Sequence, residues 1–389
     1  MEPSAWCHRF LFNRFHLDGT SGIRDYIRLE KQTRMNVLLV AGVGERPEAH
    51  LFPELAARGI KVNLLCDTTS PYFDDLKKTG FPMTHFVMKA RIDLAAIRVL
   101  RRTLRAGSYD ILHAFNSRAL SNSLIASVGM NIKRIGFCGT MGHLKRWDPS
   151  ARMAVLSPFA DRIVCVSKAV KSYLQGLGIP ESRLVNIYAG HDPSWFTAAP
   201  RTALREFGVP DNAIVIACAA RARPIKGVPI LLEAVRRLAT ELPIHVLLIG
   251  QNDDDEVEKL LGNSILRERV HLTGFRMDAP ALIGACDLFV MPTLRNEGLS
   301  KAVAEAMCMS VPSIISAVGG MVELVDDGIS GMIVPPGDAA GLANAIKKYA
   351  MDLPLRKQHG AVALKRLVES FSFSQMTDQT IAMYQSLVA

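Results

Sequence analysis

Glu297 and Glu305 are the side chains whose type and spacing in this sequence most clearly point to chemistry. They flank a loop-to-helix turn within the stretch from Met291 to Pro312. Asp287 to Val290 reads as a short buried strand stopped by Pro292, and Ser300 to Met309 as a helix that ends before Pro312. At such a turn Gly298 lets the backbone approach a ligand, and the free N–H groups of Leu299, Ser300 and the first helical turn form a phosphate cradle at the positive end of the dipole. Eight helical positions span about 12 Å, comparable to the separation of a ribose and a sugar joined by a diphosphate. One carboxylate can therefore hold each sugar, with the helix start between them. Lys301 and Glu305 also have the spacing of an ordinary surface ion pair. Against that reading, Glu305 lies among Ala302, Val303, Ala304, Ala306 and Met307, where a buried carboxylate needs a partner.

With Gly298 and Ala306-Met307, the two glutamates, separated by seven residues, resemble the nucleotide-sugar motif of family 4 retaining glycosyltransferases of the GT-B fold. The resemblance continues through Val311-Pro312, Gly319-Gly320, Glu323-Leu324-Val325, Gly328 and Gly331 to Val334-Pro335-Pro336-Gly337-Asp338, and it is weaker in the first half of the chain. Many members carry Gly-Phe-Gly after the first glutamate; this chain has Gly298-Leu299-Ser300. The resemblance implies an α/β protein of two Rossmann-like parallel-sheet domains facing a cleft, and a nucleotide diphosphate sugar as donor with no cofactor. It further implies transfer with retention, departure and attack sharing one face of the sugar. Arg221 and Lys226, five apart before Gly227, match the family's diphosphate-binding pair. Two cations at a strand's end can neutralise a departing diphosphate without metal. Glu297 would face the donor sugar and Glu305 the ribose. Gly274 and Phe275 join Gly298, Leu299, Ser300 and Glu305 in the donor-binding set.

The elements needed to hold these groups recur along the chain. From Asn36, apolar strands alternate with helical segments at Lys61–Cys66, 84–88, 110–113, 133–137, 162–166 and 184–188, the pattern of a parallel sheet covered by helices. A second series runs through 213–219, 244–249, 270–272, 288–291, 312–316 and 332–334. The expected domains are an N-terminal extension at 1–34, read as a disordered tail, a membrane-touching tail or the product of a start site assigned too far upstream, an acceptor-binding domain at 35–198, and a nucleotide-sugar domain at 199–372. A final helix at 373–389 would cross back to the first domain. Between two such sheets lies a cleft, the usual place for a ligand.

Loops of the first half supply acceptor-side candidates. Gly42 and Gly44 follow the first strand, and Gly139-Thr-Met-Gly-His143 follows a later one, placing Thr140 or His143 beside an acceptor; His143 completes the catalytic candidates with Arg221, Lys226 and Glu297. His113 ends another strand and reads as structural. Asp253-Asp254-Asp255 mimics a metal-binding motif but precedes a helix that such acids would cap, so no catalytic metal is expected.

Composition bounds the rest. With 49% hydrophobic and 21% charged residues over 389 positions, the chain is that of a soluble multi-domain protein, without an apolar run long enough to span a membrane or a signal-peptide core. Its seven cysteines are scattered without metal-ligand spacing, as free thiols of a reducing compartment are, and a cytoplasmic location is expected. Residues 1–199 carry a net +11 and residues 200–389 a net −2. That asymmetry suggests an anionic partner for the first half. On a helix spanning Asp93 to Ala106, Leu94, Ile97, Leu100 and Leu104 form an apolar stripe, with Arg98, Arg101, Arg102 and Arg105 on the other side. This face suits an anionic membrane surface, and hence a peripheral enzyme whose acceptor is a glycolipid, a lipopolysaccharide intermediate or a lipid-linked glycan. Nucleic acid is not expected. Two other readings share the motif: a nucleotide-sugar epimerase on the same fold, and a non-catalytic nucleotide-sugar or polyanion-binding protein.

Overall fold

A computed structural model describes residues 35–42, 45–142, 144–220, 223–250, 255–262 and 264–389. The N-terminal extension 1–34, Gly44, His143, Arg221, Asp253 and Asp254 lie outside the described residues.

Seven parallel strands build the first sheet: β1 (Asn36–Val40), β2 (Lys61–Cys66), β3 (Met83–His85), β4 (Ile111–Ala114), β5 (Lys133–Cys138), β6 (Arg162–Cys165) and β7 (Leu184–Asn186), in the order β3-β2-β1-β4-β5-β6-β7. Six more build the second: β8 (Ile214–Ala219), β9 (Ile244–Ile249), β10 (Val270–Gly274), β11 (Leu288–Met291), β12 (Ser313–Ser316) and β13 (Gly331–Val334), in the order β10-β9-β8-β11-β12-β13. The strands are continuous apolar runs because helices cover both faces; β1, β4, β9, β11 and β12 are buried at every position. The expected strand at 84–88 pairs only over Met83–His85, because β2 ends at Cys66 and offers no partner beyond the bond from the Phe86 amide to the Cys66 carbonyl.

In each sheet the strand order reverses once, between β1 and β4 and between β8 and β11, which opens a crevice at the carboxyl ends of those strands. The two sheets are joined by two chain crossings that are themselves paired. His191 and Ser372 form a parallel bridge, with the His191 amide 3.0 Å from the Phe371 carbonyl and the Phe373 amide 3.0 Å from the His191 carbonyl. A Cβ on Gly190 would lie 2.4 Å from the Ser372 carbonyl oxygen, so only glycine admits this pairing.

After the second crossing, the Phe373–Val388 helix packs on the first domain through Met376, Ile381, Met383 and Tyr384. Its start is fixed by a capping box between Ser372 and Gln375. Tyr384 and His113, both buried, share a 2.7 Å hydrogen bond, which satisfies the phenol inside the core. Burial pulls the His113 pKa down to about 3, so the imidazole stays neutral and tethers the last helix. The six described cysteines are free and buried. No helix among the described residues is long and apolar enough to cross a membrane.

Candidate active site

The loop after β11 carries Glu297 and is gripped on both sides by backbone. Asn296 turns it with a φ of 64°, in the left-handed region that asparagine tolerates. A Cβ on Gly298 would lie 2.1 Å from the Gly139 carbonyl oxygen. Gly298 therefore does not open space for a ligand, as its place at the turn suggested; it admits the loop after β5 of the first domain. On the other side a Cβ on Gly319 would lie 1.9 Å from the Glu297 carbonyl oxygen, and the Gly320 amide donates to that oxygen at 3.1 Å. Three backbone stretches meet here only because their crossing points lack side chains.

So held, the Glu297 carboxylate points at Lys226, Nζ to Oε2 2.6 Å, with Thr293 Oγ1 at 3.4 Å. Lys226 closes the short 3-10 turn Pro224–Lys226 after β8, and Gly227 follows at φ 67°. A Cβ there would lie 2.0 Å from the Pro292 carbonyl oxygen, which brings the β8 and β11 loops together and the two charges with them.

The helix after the loop runs Lys301–Cys308, with Ser300 as its N-cap residue and no side-chain capping bond from it. Its first amides therefore take no capping bond from the Ser300 side chain. Leu299 and Ser300, both buried, line the same cavity as Lys226, Glu297, Asn116 and Thr140, about 470 Å³ in volume. A second cavity of about 520 Å³ adjoins it, sharing Glu45, Ala219, Lys301 and Ala302, and is lined further by Arg46, Phe275, Arg276 and Glu305. The two glutamates therefore open into different lobes of one cleft, with the helix start between them.

Glu305 is half-buried, and among the described residues its carboxylate makes no salt bridge or hydrogen bond. Burial pushes its pKa up to about 7, opposed by the charges of Arg46 and Lys301. The i, i+4 ion pair with Lys301 does not form, because Lys301 reaches instead across the cleft to Glu45 and stands 3.9 Å from Glu48. Glu48 was not apparent in the sequence. It sits 6% exposed in the first turn of the Arg46–Ala57 helix and accepts from the Glu45 amide at 3.1 Å, and burial raises its pKa to about 7. A glutamate three positions after another, behind Gly42 at the end of β1, is a capping-box spacing that could have flagged it.

Gly274 ends β10 at φ 68° and bridges to Gly250, which lines the second lobe, and the next residue, Phe275, stands 62% exposed at the mouth of that lobe. Thr140 and Gly42 line the central cavity.

The basic helix spans Leu94–Gly107 with Asp93 as N-cap, its side chain accepting from the Ala96 amide at 3.1 Å. Two expectations about it change. Arg101 lines one open concavity with Arg98, Arg102 and Arg105 but is not free there: its guanidinium donates to the Ala126 and Val128 carbonyls at 2.9 and 3.1 Å, satisfying groups at the end of the neighbouring Ser117–Ala126 helix. Leu94 leaves the buried stripe: it is the first residue of the helix, directly after Ala90-Arg91-Ile92-Asp93, and is 64% exposed, as Ile92 and Val99 are also exposed. Arg98, Arg102 and Arg105 remain on the solvent side.

The profile of Glycosyltransferase Family 4 matches residues 49–195, and that of Glycosyl transferases group 1 matches residues 213–352. The phosphatidyl-myo-inositol mannosyltransferase of Mycolicibacterium smegmatis is 25% identical over 318 residues, covering 80% of each chain. The lipopolysaccharide core biosynthesis glycosyltransferase LpsE of Rhizobium meliloti is 25% identical over 348 residues, 89% of this chain and 96% of its own. Among solved structures, Anabaena HepE in complex with UDP and glucose superposes with a TM-score of 0.80 at 22% identity, over 91% of this chain and 100% of its own. Two Rossmann-like sheets, their shared cleft and both halves' profiles agree: the chain belongs to the family 4 glycosyltransferases and has the GT-B fold.

Proposed function

We propose that this glycosyltransferase moves a sugar from a nucleotide diphosphate donor to a glycolipid, lipopolysaccharide intermediate or lipid-linked glycan, with retention of configuration and without a metal. The observation that carries the donor reading is the two-lobed cleft, with Glu297 and Lys226 in one lobe, Glu305 in the other and a helix N-terminus between them. In this reading the ribose hydroxyls donate to Glu305, the base stacks at exposed Phe275, and the diphosphate sits at the start of the Lys301–Cys308 helix. Lys226 turns from Glu297 to the phosphate, and Glu297 accepts from hydroxyls of the donor sugar. Arg221 supplies the second cation and His143 stands on the acceptor side. As the bond from the anomeric carbon to phosphate oxygen breaks, Lys226 and the helix N–H groups stabilise the charge gathering on the diphosphate, the term that usually dominates such catalysis. The acceptor oxygen attacks on the same face and its proton passes to the departing phosphate.

The acceptor reading is supported by exposed Ile92, Leu94 and Val99 beside Arg98, Arg102 and Arg105, a pairing of apolar and cationic groups suited to an anionic bilayer surface. Two similar proteins are named for phosphatidyl-myo-inositol and for lipopolysaccharide core. A thermal-shift panel of UDP-, GDP-, ADP- and CMP-sugars tests the donor class. A ligand at a hundred times its dissociation constant stabilises the fold by about 2.7 kcal/mol, and the CMP-sugar, lacking the diphosphate, should do least. Transfer to glycolipid in vesicles should then proceed in EDTA; strict need for added divalent metal would overturn the metal-free mechanism.

A further inference from the structure

The Glu323-Leu324-Val325 stretch plays no part in the donor cleft, yet Glu323 bonds the two domains together. Its carboxylate accepts from the Lys168 amide at 3.0 Å, the Ala169 amide at 2.8 Å and the Tyr188 hydroxyl at 2.7 Å. All three donors belong to the first domain. The first two are the opening amides of the Lys168–Gly176 helix, where a negative charge meets both free N–H groups and the positive end of the dipole. Tyr188 lies between β7 and the first chain crossing and packs edge-on against Phe371 of the second, ring centroids 4.8 Å apart.

The turn that bears Glu323 also holds the donor loop. Glu323 sits in the short Met321–Leu324 helix, whose start, Gly320, donates to the Glu297 carbonyl. A Cβ on Gly320 would lie 1.8 Å from the Gly298 carbonyl oxygen and 2.7 Å from Ser167, so this turn is pressed between the Glu297 loop and the first domain. Behind it, the Arg366 guanidinium donates to the Glu323 and Leu324 carbonyls at 2.9 Å each, which fixes the far end of the turn. One stiff segment thus touches the first domain through a side chain and Glu297 through the backbone.

We infer that Glu323 is a positioning residue: it clamps the first domain's Lys168–Gly176 helix to the Gly319–Leu324 turn, and so sets the Glu297 loop for transfer. Nucleotide binding in the Glu305 lobe does not use this contact. Without the clamp the nucleotide still binds, while Glu297 loses the register that the first domain imposes on it. The effect on turnover rests on the donor-sugar role proposed for Glu297; the clamp itself is readable without substrate.

The test uses Glu323→Ala, Glu323→Gln and Tyr188→Phe in the full chain. Hydrogen–deuterium exchange by mass spectrometry is followed over 167–171 and over 293–299. Both Glu323 variants should exchange faster in both windows by roughly tenfold or more, the equilibrium value of one charge-assisted hydrogen bond, with Tyr188→Phe between them and wild type. Turnover should fall by a similar factor, while affinities for UDP and GDP, by calorimetry, stay within about twofold of wild type. Should Glu323→Ala fail to fold, Glu323→Gln keeps the side-chain shape and Tyr188→Phe removes one donor, and the same two windows decide. Unchanged exchange over 293–299 in both Glu323 variants, or nucleotide affinity lost in step with turnover, overturns the proposal. Faster exchange in both windows in an enzyme that turns over no donor would support the clamp and sink the transfer mechanism.

Discussion

Replacing Lys226 by alanine should damage folding and catalysis for separable reasons. Its Nζ lies 2.6 Å from the Glu297 carboxylate, with the two side chains 26% and 14% exposed. At an effective dielectric constant of about 20 that pair attracts by roughly 6 kcal/mol, most of which offsets the cost of removing both charges from water. Alanine at 226 leaves Glu297 an orphan carboxylate, with Thr293 at 3.4 Å as its remaining side-chain partner among the described residues. Breaking a fully buried pair costs about 3–5 kcal/mol, and the partial exposure here places the loss near the lower end, about 3 kcal/mol. Adding Glu297→Gln removes the orphan charge and should restore about 2 kcal/mol of that loss. Catalysis should not recover, since the missing cation is worth about 2.7–4 kcal/mol of barrier, a hundredfold or more. Urea unfolding and kcat/KM on the wild type, both single variants and the double variant complete the cycle. If the double variant is no more stable than Lys226→Ala, the buried-pair account of the site is wrong. If Lys226→Ala turns over near the wild-type rate, its role at the diphosphate is wrong.

Glu305→Gln should weaken both the nucleotide sugar and the bare nucleotide diphosphate, whereas Glu297→Gln should spare the bare nucleotide; equal losses for it in calorimetry would refute the two-lobe assignment. Glutamine at Arg98, Arg102 and Arg105 should reduce sedimentation with anionic vesicles by roughly a hundredfold in affinity, at about 1 kcal/mol per basic residue and less at high salt. Equal binding by wild type and variant would discard that surface. Stability should fall as pH rises, because Glu48 and Glu305 titrate near 7 in the folded chain against about 4.5 when unfolded. Between those values the folded protein retains protons that the unfolded chain has lost, so the loss begins near pH 4.5 and is complete above about 7, at most roughly 3 kcal/mol per group. Urea midpoints at pH 5 and 8 should converge in Glu48→Gln and Glu305→Gln; an unchanged difference would contradict the burial of these carboxyls.

Strand alternation, the two sheets and the donor motif were legible in the amino-acid order, because each depends on local pattern: apolar runs of strand length, helix formers between them, and glutamates at fixed offsets from a turn. Even there, local pattern misjudged what glycines were for. Gly298 sits at a ligand turn by sequence, but its missing side chain admits the Gly139 carbonyl from the loop after β5 of the other sheet. Tertiary packing alone decided which charges meet. Lys301 has an acid one helical turn away at Glu305, yet it pairs with Glu45, more than 250 positions earlier, because the closed cleft brings the two helix starts together. Arg101 is tied down on the basic face for the same reason: the carbonyls it satisfies belong to a helix end that only packing places beside it. Periodicity tells which side of a helix is polar, but a charge takes its partner from whatever the fold sets within hydrogen-bonding distance.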